Sequence, residues 1–407
     1  MFDNLKKRKL SDGFMQALTY LSSTVSLVTL LLIFGFIISK GSSFLNLNLI
    51  TENYESQGFV ADLYAGYELC DCNASGEYLE DGFYSKKWGI ALVDSTDLLG
   101  KNVVEVLYVH QDSPFQQLHD KGIGTDPIKM KTDYDIIRIA FESHATALSR
   151  HGAAQMIEYL NANDSIREIE FQTAGGGIKG SLITTLYLIG LTLLFALPIG
   201  VGAAIYLNEY AKPTKSTKII RSLIETLTGV PSIIYGLMGL AIFVPLTVSL
   251  TNATGGNIIS GAMTLAVILL PIIIRTTEES LKVVPDEYRQ ASLALGASKT
   301  QTTFQVVLPS AIPGIMTATL LAIGRIVGES AALVFAIGTA IKDDITLTGK
   351  STSLAVHIWA MMTDEPANIE LSATIAIIIV LITILLNIII KIISTRYLKR
   401  KLGSAYE

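Results

Sequence analysis

The stretch from Asp286 to Pro309, DEYRQASLALGASKTQTTFQVVLP, is the most informative part of this chain. It predicts an amphipathic helix, a break at Gly296, a second helix, and a proline at the start of an apolar span. A helix–glycine–helix unit exposed between two apolar spans has a suitable shape to dock in a groove on a partner protein. Its shape is equally compatible with a re-entrant cap that packs on its own bundle.

Long apolar segments lie on both sides of this stretch. Half of the 407 residues are hydrophobic and only 16% are charged, whereas soluble domains carry about 25% charged residues. A membrane-spanning helix needs roughly 20 mostly apolar residues. Six segments meet this requirement, so we predict an α-helical bundle of six membrane spans: 18–39, 182–207, 222–250, 258–274, 310–340 and 371–393. The mild net charge of −5 argues against nucleic acid as a partner.

Basic residues are concentrated next to alternate ends of the predicted spans. They precede the first span, fill the connections from second to third and from fourth to fifth, and follow the last span. Because cytoplasmic loops carry an excess of lysine and arginine, we predict that both termini are cytoplasmic. The chain would then be a multi-pass protein of the cell membrane, and the long connection between the first two spans would lie outside the cytoplasm.

That long connection, residues 41–179, differs in composition from the rest. It holds most of the acidic residues, both cysteines and four of the five histidines. Strand-like runs at 88–93, 103–109 and 166–171 and an amphipathic helix at 135–160 predict an extracytoplasmic α+β insert. A glycine run at 175–177 predicts a hinge after the insert. We therefore divide the chain into 1–40 (N-terminus and first span), 41–179 (insert) and 180–407 (five-span core).

Two weak motifs are candidate ligand sites. Cys70 and Cys72 supply only two ligands, which do not make a metal site, so we expect a free or mutually oxidised pair and no metal. The sequence Gly349-Lys350-Ser351 resembles the end of a phosphate-binding loop, but it follows no predicted strand and lacks the first glycine of that motif. We expect no cofactor in this chain, with ATP and Mg²⁺ bound by a separate subunit.

The fifth span carries an unusual pair of charges, Arg325 and Glu329, followed by Ser330. A charged residue near the bilayer centre costs about 2.5–3.5 kcal/mol, and Arg325 lies roughly 22 Å along a helix from Ser310. On a continuous helix, Glu329 would follow one turn later on the same face. The planar donor fork of arginine matches tetrahedral oxyanions. These three residues therefore predict an anion path, and an internal Arg325–Glu329 pair that merely neutralises itself is the alternative.

The stretch 286–309 resembles the cytoplasmic loop of ABC importer permeases, which has the pattern Glu-Ala-Ala, three residues, Gly, and later an aliphatic residue with Leu-Pro. Here the pattern reads Gln290-Ala291-Ser292, Gly296 and Val307-Leu308-Pro309. In that family the loop docks in a cleft of the ATPase subunit. The resemblance implies a coupling loop at 276–309 whose contact residues are Gln290, Ala291, Ser292, Gly296, Ala297 and Lys299.

A second resemblance narrows the family. Residues 323–333, IGRIVGESAAL, are similar to the fifth-span motif of phosphate importer permeases of the PstA type, and 197–210 and 224–236 also match that group. The resemblance implies the type I ABC importer permease fold and a transport subunit that is not an enzyme. Its implied partners are phosphate, membrane lipid, a PstC-type sister permease, a PstB-type ATPase dimer and a PstS-type binding protein. Transport of molybdate or sulfate, or a membrane sensor that uses the insert, are the alternatives.

Overall fold

The computed structural model describes residues 2–42, 44–56, 58–64, 66–72, 82–97, 101–121, 127–142, 145–173, 175–343, 345–363 and 367–402. Its helices are, in chain order, α1 (Phe2–Gly41), α2 (Leu47–Thr51), α3 (Ala153–Ala162), α4 (Lys179–Ile205), α5 (Lys215–Leu227), α6 (Ser232–Met238), α7 (Val244–Leu250), α8 (Ile258–Val283), α9 (Asp286–Ala294), α10 (Lys299–Thr302), α11 (Leu308–Gly328), α12 (Ala331–Ala336), α13 (Leu354–Thr363) and α14 (Ile369–Leu402). Single π-helical turns continue α4 over Tyr206–Tyr210, join α6 to α7 over Gly239–Phe243, and join α10 to α11 over Thr303–Val307.

Six helical segments in the described part of the chain are long and apolar enough to cross a membrane, which confirms the predicted six-span bundle. They are Asp12–Gly41, Lys179–Tyr210, Ser232–Leu250, Ile258–Val283, Lys299–Gly328 and Ile369–Arg396. Small residues allow the central pair, α4 and α8, to pack closely, as in other membrane bundles. Ala196, Gly200 and Ala204 are all buried at intervals of four residues along α4. A Cβ on Gly200 would lie only 2.6 Å from Cγ2 of Ile273 in α8.

Two predicted spans include residues that form separate helices. The third does not begin at residue 222, because α5 is a separate and mostly exposed helix and the membrane span begins at Ser232. Pro231, with φ −57° and ψ 137°, separates the two helices, as expected for a residue that cannot continue a helical hydrogen-bond ladder. The fifth span does not reach residue 340, because α11 ends at Gly328 and the apolar run after it forms the short helix α12.

An antiparallel sheet occupies most of the predicted insert. Its strands are β1 (Gly58–Leu63), β2 (Phe83–Ser85), β3 (Ile90–Thr96), β4 (Asn102–Val109), β5 (Leu118–Asp120), β6 (Tyr134–Phe141), β7 (Ala147–Leu148) and β8 (Ile166–Thr173). The described strands follow the order β2-β3-β4-β6-β8-β1-β5, with β7 paired to β6. Helix α3 packs on the sheet through Met156 and Leu160, and the Trp88 indole donates to the Leu160 carbonyl at 2.7 Å.

Three predicted strands of the insert are present as β3, β4 and β8, but the helix predicted over 135–160 is correct only for its last part, 153–160. That segment forms β6, β7 and α3. Strand β6 pairs with β8 through register shifts between Ile136 and Arg138 and between Ala140 and Phe141. Such bulges break the period-two alternation of a strand. They bury Ile136, Ile139 and Ala140, a spacing that imitates a helix face.

The two chain segments that connect the sheet to the membrane bundle are fastened together. The Gly176 and Gly177 amides donate to the carbonyls of Tyr54 and Asn53 at 2.9 and 3.1 Å. A Cβ on Gly177 would collide with the Glu52 carbonyl. The glycines at 175–177 therefore allow close packing of two backbones, and the hinge predicted there is wrong.

We call these two connecting segments, which include Asn53, Tyr54, Gly176 and Gly177, the stalk. Asp343 binds the stalk to the loop that follows α12. Its carboxylate accepts hydrogen bonds from the Tyr54 and Glu55 amides at 2.9 and 2.8 Å. Lys342 adds an ion pair with Glu55 at 2.5 Å. We call Tyr54, Glu55, Lys342 and Asp343 the stalk latch. It connects the base of the insert directly to the core loop that leads back to α12.

Candidate anion path and coupling surface

Arg325 lies on an outward face of α11. Ala322, Ile323, Ile326 and Val327 on the opposite face are buried in the bundle, whereas the Arg325 side chain is exposed on the single chain. A Cβ added to Gly324 or Gly328, on either side of Arg325, would meet no atom within 4 Å. This face therefore combines a cation with small residues that permit close approach of another helix.

The structure corrects the position predicted for Glu329. The residue has φ −81° and ψ 118°, so it lies outside α11 rather than one turn further along it. Its side chain is buried, and its carboxylate accepts a hydrogen bond from the Ala332 amide at 3.3 Å. Within the described ranges no ion pair joins Arg325 to Glu329. The single chain thus gives no direct support to the predicted alternative, a self-neutralising pair.

Glu329 instead caps the short helix α12, which follows α11 in the chain. A carboxylate at a helix N-terminus satisfies free amides and interacts favourably with the helix dipole. Ser330, half-buried, is the residue that precedes α12. Helix α12 packs closely on α6, since a Cβ on Gly236 would lie 2.8 Å from the Ala332 Cα. The structure thus brings Arg325, Glu329 and Ser330 to one helix break.

Tyr235 in α6 is a neighbour of this break that sequence reasoning missed. It is buried in one cluster with Ile326 and Ala332, and its hydroxyl donates to the Leu227 carbonyl at 2.8 Å. The sequence offered a signal, since a tyrosine inside an apolar span usually finds a polar partner. It did not show that α6 and α12 would pack closely.

The predicted coupling residues lie on a projecting loop, in the conformation expected from the sequence. Gly296 has φ +88° and separates α9 from α10, a conformation that glycine adopts without steric cost. Gln290, Ala291 and Lys299 are exposed, and Ser292 and Ala297 are half-buried. Leu295 beside the break is 91% exposed. Tyr288 and Leu293 on α9 are exposed as well, at 53% and 49%, so the loop displays several apolar side chains.

A cavity of 190 Å³ at one end of the bundle brings together charges from two helices, α5 and α8. Glu225 lines it with Arg221, Arg275 and Lys282. The buried Glu278 carboxylate pairs with both Arg221 and Lys282 at 2.9 Å. Arg275 pairs with Glu225 at 2.7 Å and with Glu279 at 3.5 Å. Three cations therefore face three carboxylates, and the cavity supplies no isolated anion site.

Cys70 and Cys72 form a disulfide, which is one of the two outcomes expected from the sequence. A ring nitrogen of His110 lies within 4.8 Å of both sulfur atoms. Thiolates, not disulfide sulfurs, bind metals, so this cluster is not a metal site in its oxidised form.

Comparison with known proteins finds several transporter permeases. The probable ABC transporter permease protein YqgI of Bacillus subtilis is 40% identical over 203 residues, which are 47% of this chain and 67% of that protein. The phosphate transport system permease protein PstA 1 of Mycobacterium tuberculosis is 32% identical over 49% of this chain and 64% of its own length. A chain of the inward-facing MetNI methionine ABC transporter superposes with a TM-score of 0.45 at 21% identity, over 54% of this chain and 95% of that chain.

The chain spans only part of the length of most of these relatives. The phosphate permease PstA of Haemophilus influenzae, for example, is 38% identical over 55% of its length. The family model for the binding-protein-dependent transport system inner membrane component matches residues 196–401, just over half of the chain. The chain therefore belongs to this family and is a membrane-embedded transport subunit, a permease rather than an enzyme.

Proposed function

We propose that this chain is a PstA-type permease subunit of an ATP-driven importer for inorganic phosphate and forms half of the translocation path. The observation that carries the proposal is the outward-facing Arg325, exposed on the single chain within a membrane span and without a carboxylate partner in the described ranges. The phosphate permeases among its relatives support the choice of substrate.

A cation at this position needs a polar environment. Charged residues within membrane spans face a bundle interior or a water-filled cavity rather than lipid. The face of α11 that carries Arg325 is therefore covered by a second subunit, a PstC-type sister permease, and the path lies between the two. Arginine binds tetrahedral oxyanions through two parallel hydrogen bonds. The Ser330 hydroxyl adds a donor at the same helix break, while Glu329 acts by positioning α12.

The energy source is a separate subunit. A PstB-type ATPase dimer binds ATP and Mg²⁺ and receives the loop around Gly296, with Leu295 as its apolar anchor. A PstS-type binding protein delivers phosphate on the opposite side of the membrane. The chain then lies in the cell membrane, with both termini in the cytoplasm and the sheet on the opposite side of the membrane. Closure of the ATPase dimer moves the loop and exposes the Arg325 site alternately to the two sides.

The test uses the complete complex in lipid vesicles, with ATP supplied on the side of the ATPase. Arg325→Ala should abolish ATP-dependent uptake of labelled phosphate, and Arg325→Lys should retain part of it, because lysine keeps the charge but lacks the fork. Arg396→Ala, which removes an exposed arginine from the end of α14, is the matched control and should transport normally. Normal uptake by Arg325→Ala would exclude this residue from the path. Uptake of molybdate or sulfate in preference to phosphate would contradict the proposed substrate but not the proposed role as a permease.

A second role, sensing by the insert, is favoured by the stalk latch, which ties the insert to the loop after α12. The first residue of β1 and the end of β8 are paired, Gly58 with Gln172. The sheet can therefore be replaced by a short linker without stretching the stalk. If this shortened variant reaches the membrane at normal levels but no longer takes up phosphate, the insert takes part in the delivery of phosphate. Unchanged uptake with altered regulation would support the sensor.

A further inference from the structure

The first helix of the coupling loop, α9, is attached to the membrane core by the hydrogen bonds of one residue, Arg289. No residue of α9 is fully buried, and Arg289 is one of its two half-buried members, with Ser292. The Arg289 guanidinium donates to the Leu281 and Val284 carbonyls at 2.9 and 2.7 Å. These carbonyls belong to the C-terminal end of α8, where the helical ladder leaves acceptors without partners. Arg289 therefore caps α8 from the loop.

The same guanidinium also binds the end of α4. Its Nη2 and Nε atoms donate to the two carboxylate oxygens of Glu209 at 2.8 and 3.4 Å. The side chains are 18% and 8% exposed, so the pair is largely shielded from water. Glu209 raises the pKa of Arg289 by this hydrogen bond. A bidentate arginine–carboxylate pair fixes both distance and orientation.

The turn that carries Glu209 contacts the second half of the loop as well. Tyr210 is the last residue of the π-helical turn Tyr206–Tyr210. The Lys299 ammonium lies over its ring, 5.3 Å from the ring centre, and its hydroxyl donates to Thr300 Oγ1 at 3.5 Å. One turn at the end of α4 thus holds both helices of the coupling loop. Single π-turns are frequently found at functional positions.

On the basis of the proposed coupling to an ATPase subunit, we propose that Glu209 and Arg289 form the mechanical link through which movement of the coupling loop reaches the membrane core. Helix α9 is otherwise mostly exposed. Ser292 connects it to Thr302 within the loop, whereas the Glu209–Arg289 pair connects it directly to the ends of α4 and α8. Helix α4 packs along α8, and α8 packs against α11, which carries Arg325. The pair positions these elements relative to the loop and does not contact the transported ion.

The test compares isosteric changes at two carboxylates that both bind Arg289. Glu209→Gln removes the buried partner charge, whereas Asp286→Asn removes the charge of an 82% exposed carboxylate 3.1 Å from Arg289. Both are assayed in the full complex with its ATPase and binding protein, in vesicles. The readouts are ATP hydrolysis without binding protein, its stimulation by loaded binding protein, and the amount of ATPase that co-purifies. None of them depends on the identity of the transported ion.

We expect Glu209→Gln and Arg289→Ala to lose roughly tenfold or more of the stimulation, because a buried charge left without its partner no longer fixes the loop against α4 and α8. Basal hydrolysis and bound ATPase should stay unchanged, and Asp286→Asn should match the native chain. Arg289→Lys should retain an intermediate stimulation. Stimulation by Glu209→Gln equal to that of Asp286→Asn would overturn the inference. So would a proportional fall of basal and stimulated rates, or loss of the ATPase, since either would show a role in docking alone.

Discussion

Removing the Asp343 carboxylate should release the base of the insert from the membrane core. In the stalk latch this carboxylate accepts two backbone hydrogen bonds, from Tyr54 at 2.9 Å and Glu55 at 2.8 Å. A hydrogen bond to a charged group contributes about 1.5–3 kcal/mol. Asp343 is only half-buried and water can replace part of the loss. For Asp343→Ala we therefore take about 2 kcal/mol for the two bonds together.

That free energy corresponds to roughly a 30-fold increase in the population of the open latch, at 1.4 kcal/mol per factor of ten. Hydrogen exchange of the Tyr54 and Glu55 amides, measured by mass spectrometry on the full chain in detergent, reports this opening. Exchange at these amides should accelerate by the same factor, while exchange in the strands of the sheet stays unchanged.

Lys342→Ala is the matched control in the same latch. It removes an ion pair whose side chains are 45% and 56% exposed, and such surface pairs contribute about 0–1 kcal/mol. Exchange should therefore rise about fivefold at most. Exchange in Asp343→Ala within a factor of about two of the native chain would show that these hydrogen bonds do not hold the stalk.

Three further changes test other parts of the structure. Burial raises the pKa of Asp135 to about 6, so the folded chain binds this proton more tightly than the unfolded chain, and stability falls as the pH rises from about 4 to about 6. Asp135→Asn should therefore raise the thermal midpoint of the insert at pH 7 and leave it unchanged below pH 4. Gly296→Ala forces a side chain into φ +88°, at a cost of about 1–2 kcal/mol, and should reduce the amount of ATPase that co-purifies. Gly236→Ala places a Cβ 2.8 Å from Ala332, so it should displace α12 and lower uptake at normal membrane levels, whereas Gly190→Ala, which meets no atom within 4 Å, should be neutral.

The long apolar helices could be predicted because their signal is local. A run of about 20 apolar residues is sufficient to identify a membrane span. Gly296 could likewise be identified as a helix break from the sequence, because glycine readily adopts a positive φ. The boundaries failed where a proline or a charged residue interrupts such a run. Pro231 separates the charged helix α5 from the span after it, and Glu329 turns away from α11 to cap α12.

The remaining features depend on contacts between distant parts of the chain. Asp343 meets Tyr54 across 289 residues, and Arg289 meets Glu209 across 80. Periodicity within one segment carries no information about either pair. Strand β6 was mistaken for a helix for the same reason, since its burial pattern is set by bulged pairing with β8. Pairing with a distant strand overrides local propensity.

Phosphate transport by the complete complex is the most direct test of the proposed function. The chain is purified with its sister permease and ATPase, placed in lipid vesicles, and supplied with binding protein and labelled phosphate. We predict phosphate accumulation that requires ATP, resists an excess of molybdate or sulfate, and is lost in Arg325→Ala. Failure of any ATPase to co-purify, or ATP-dependent uptake that molybdate abolishes and phosphate does not, would contradict a phosphate permease.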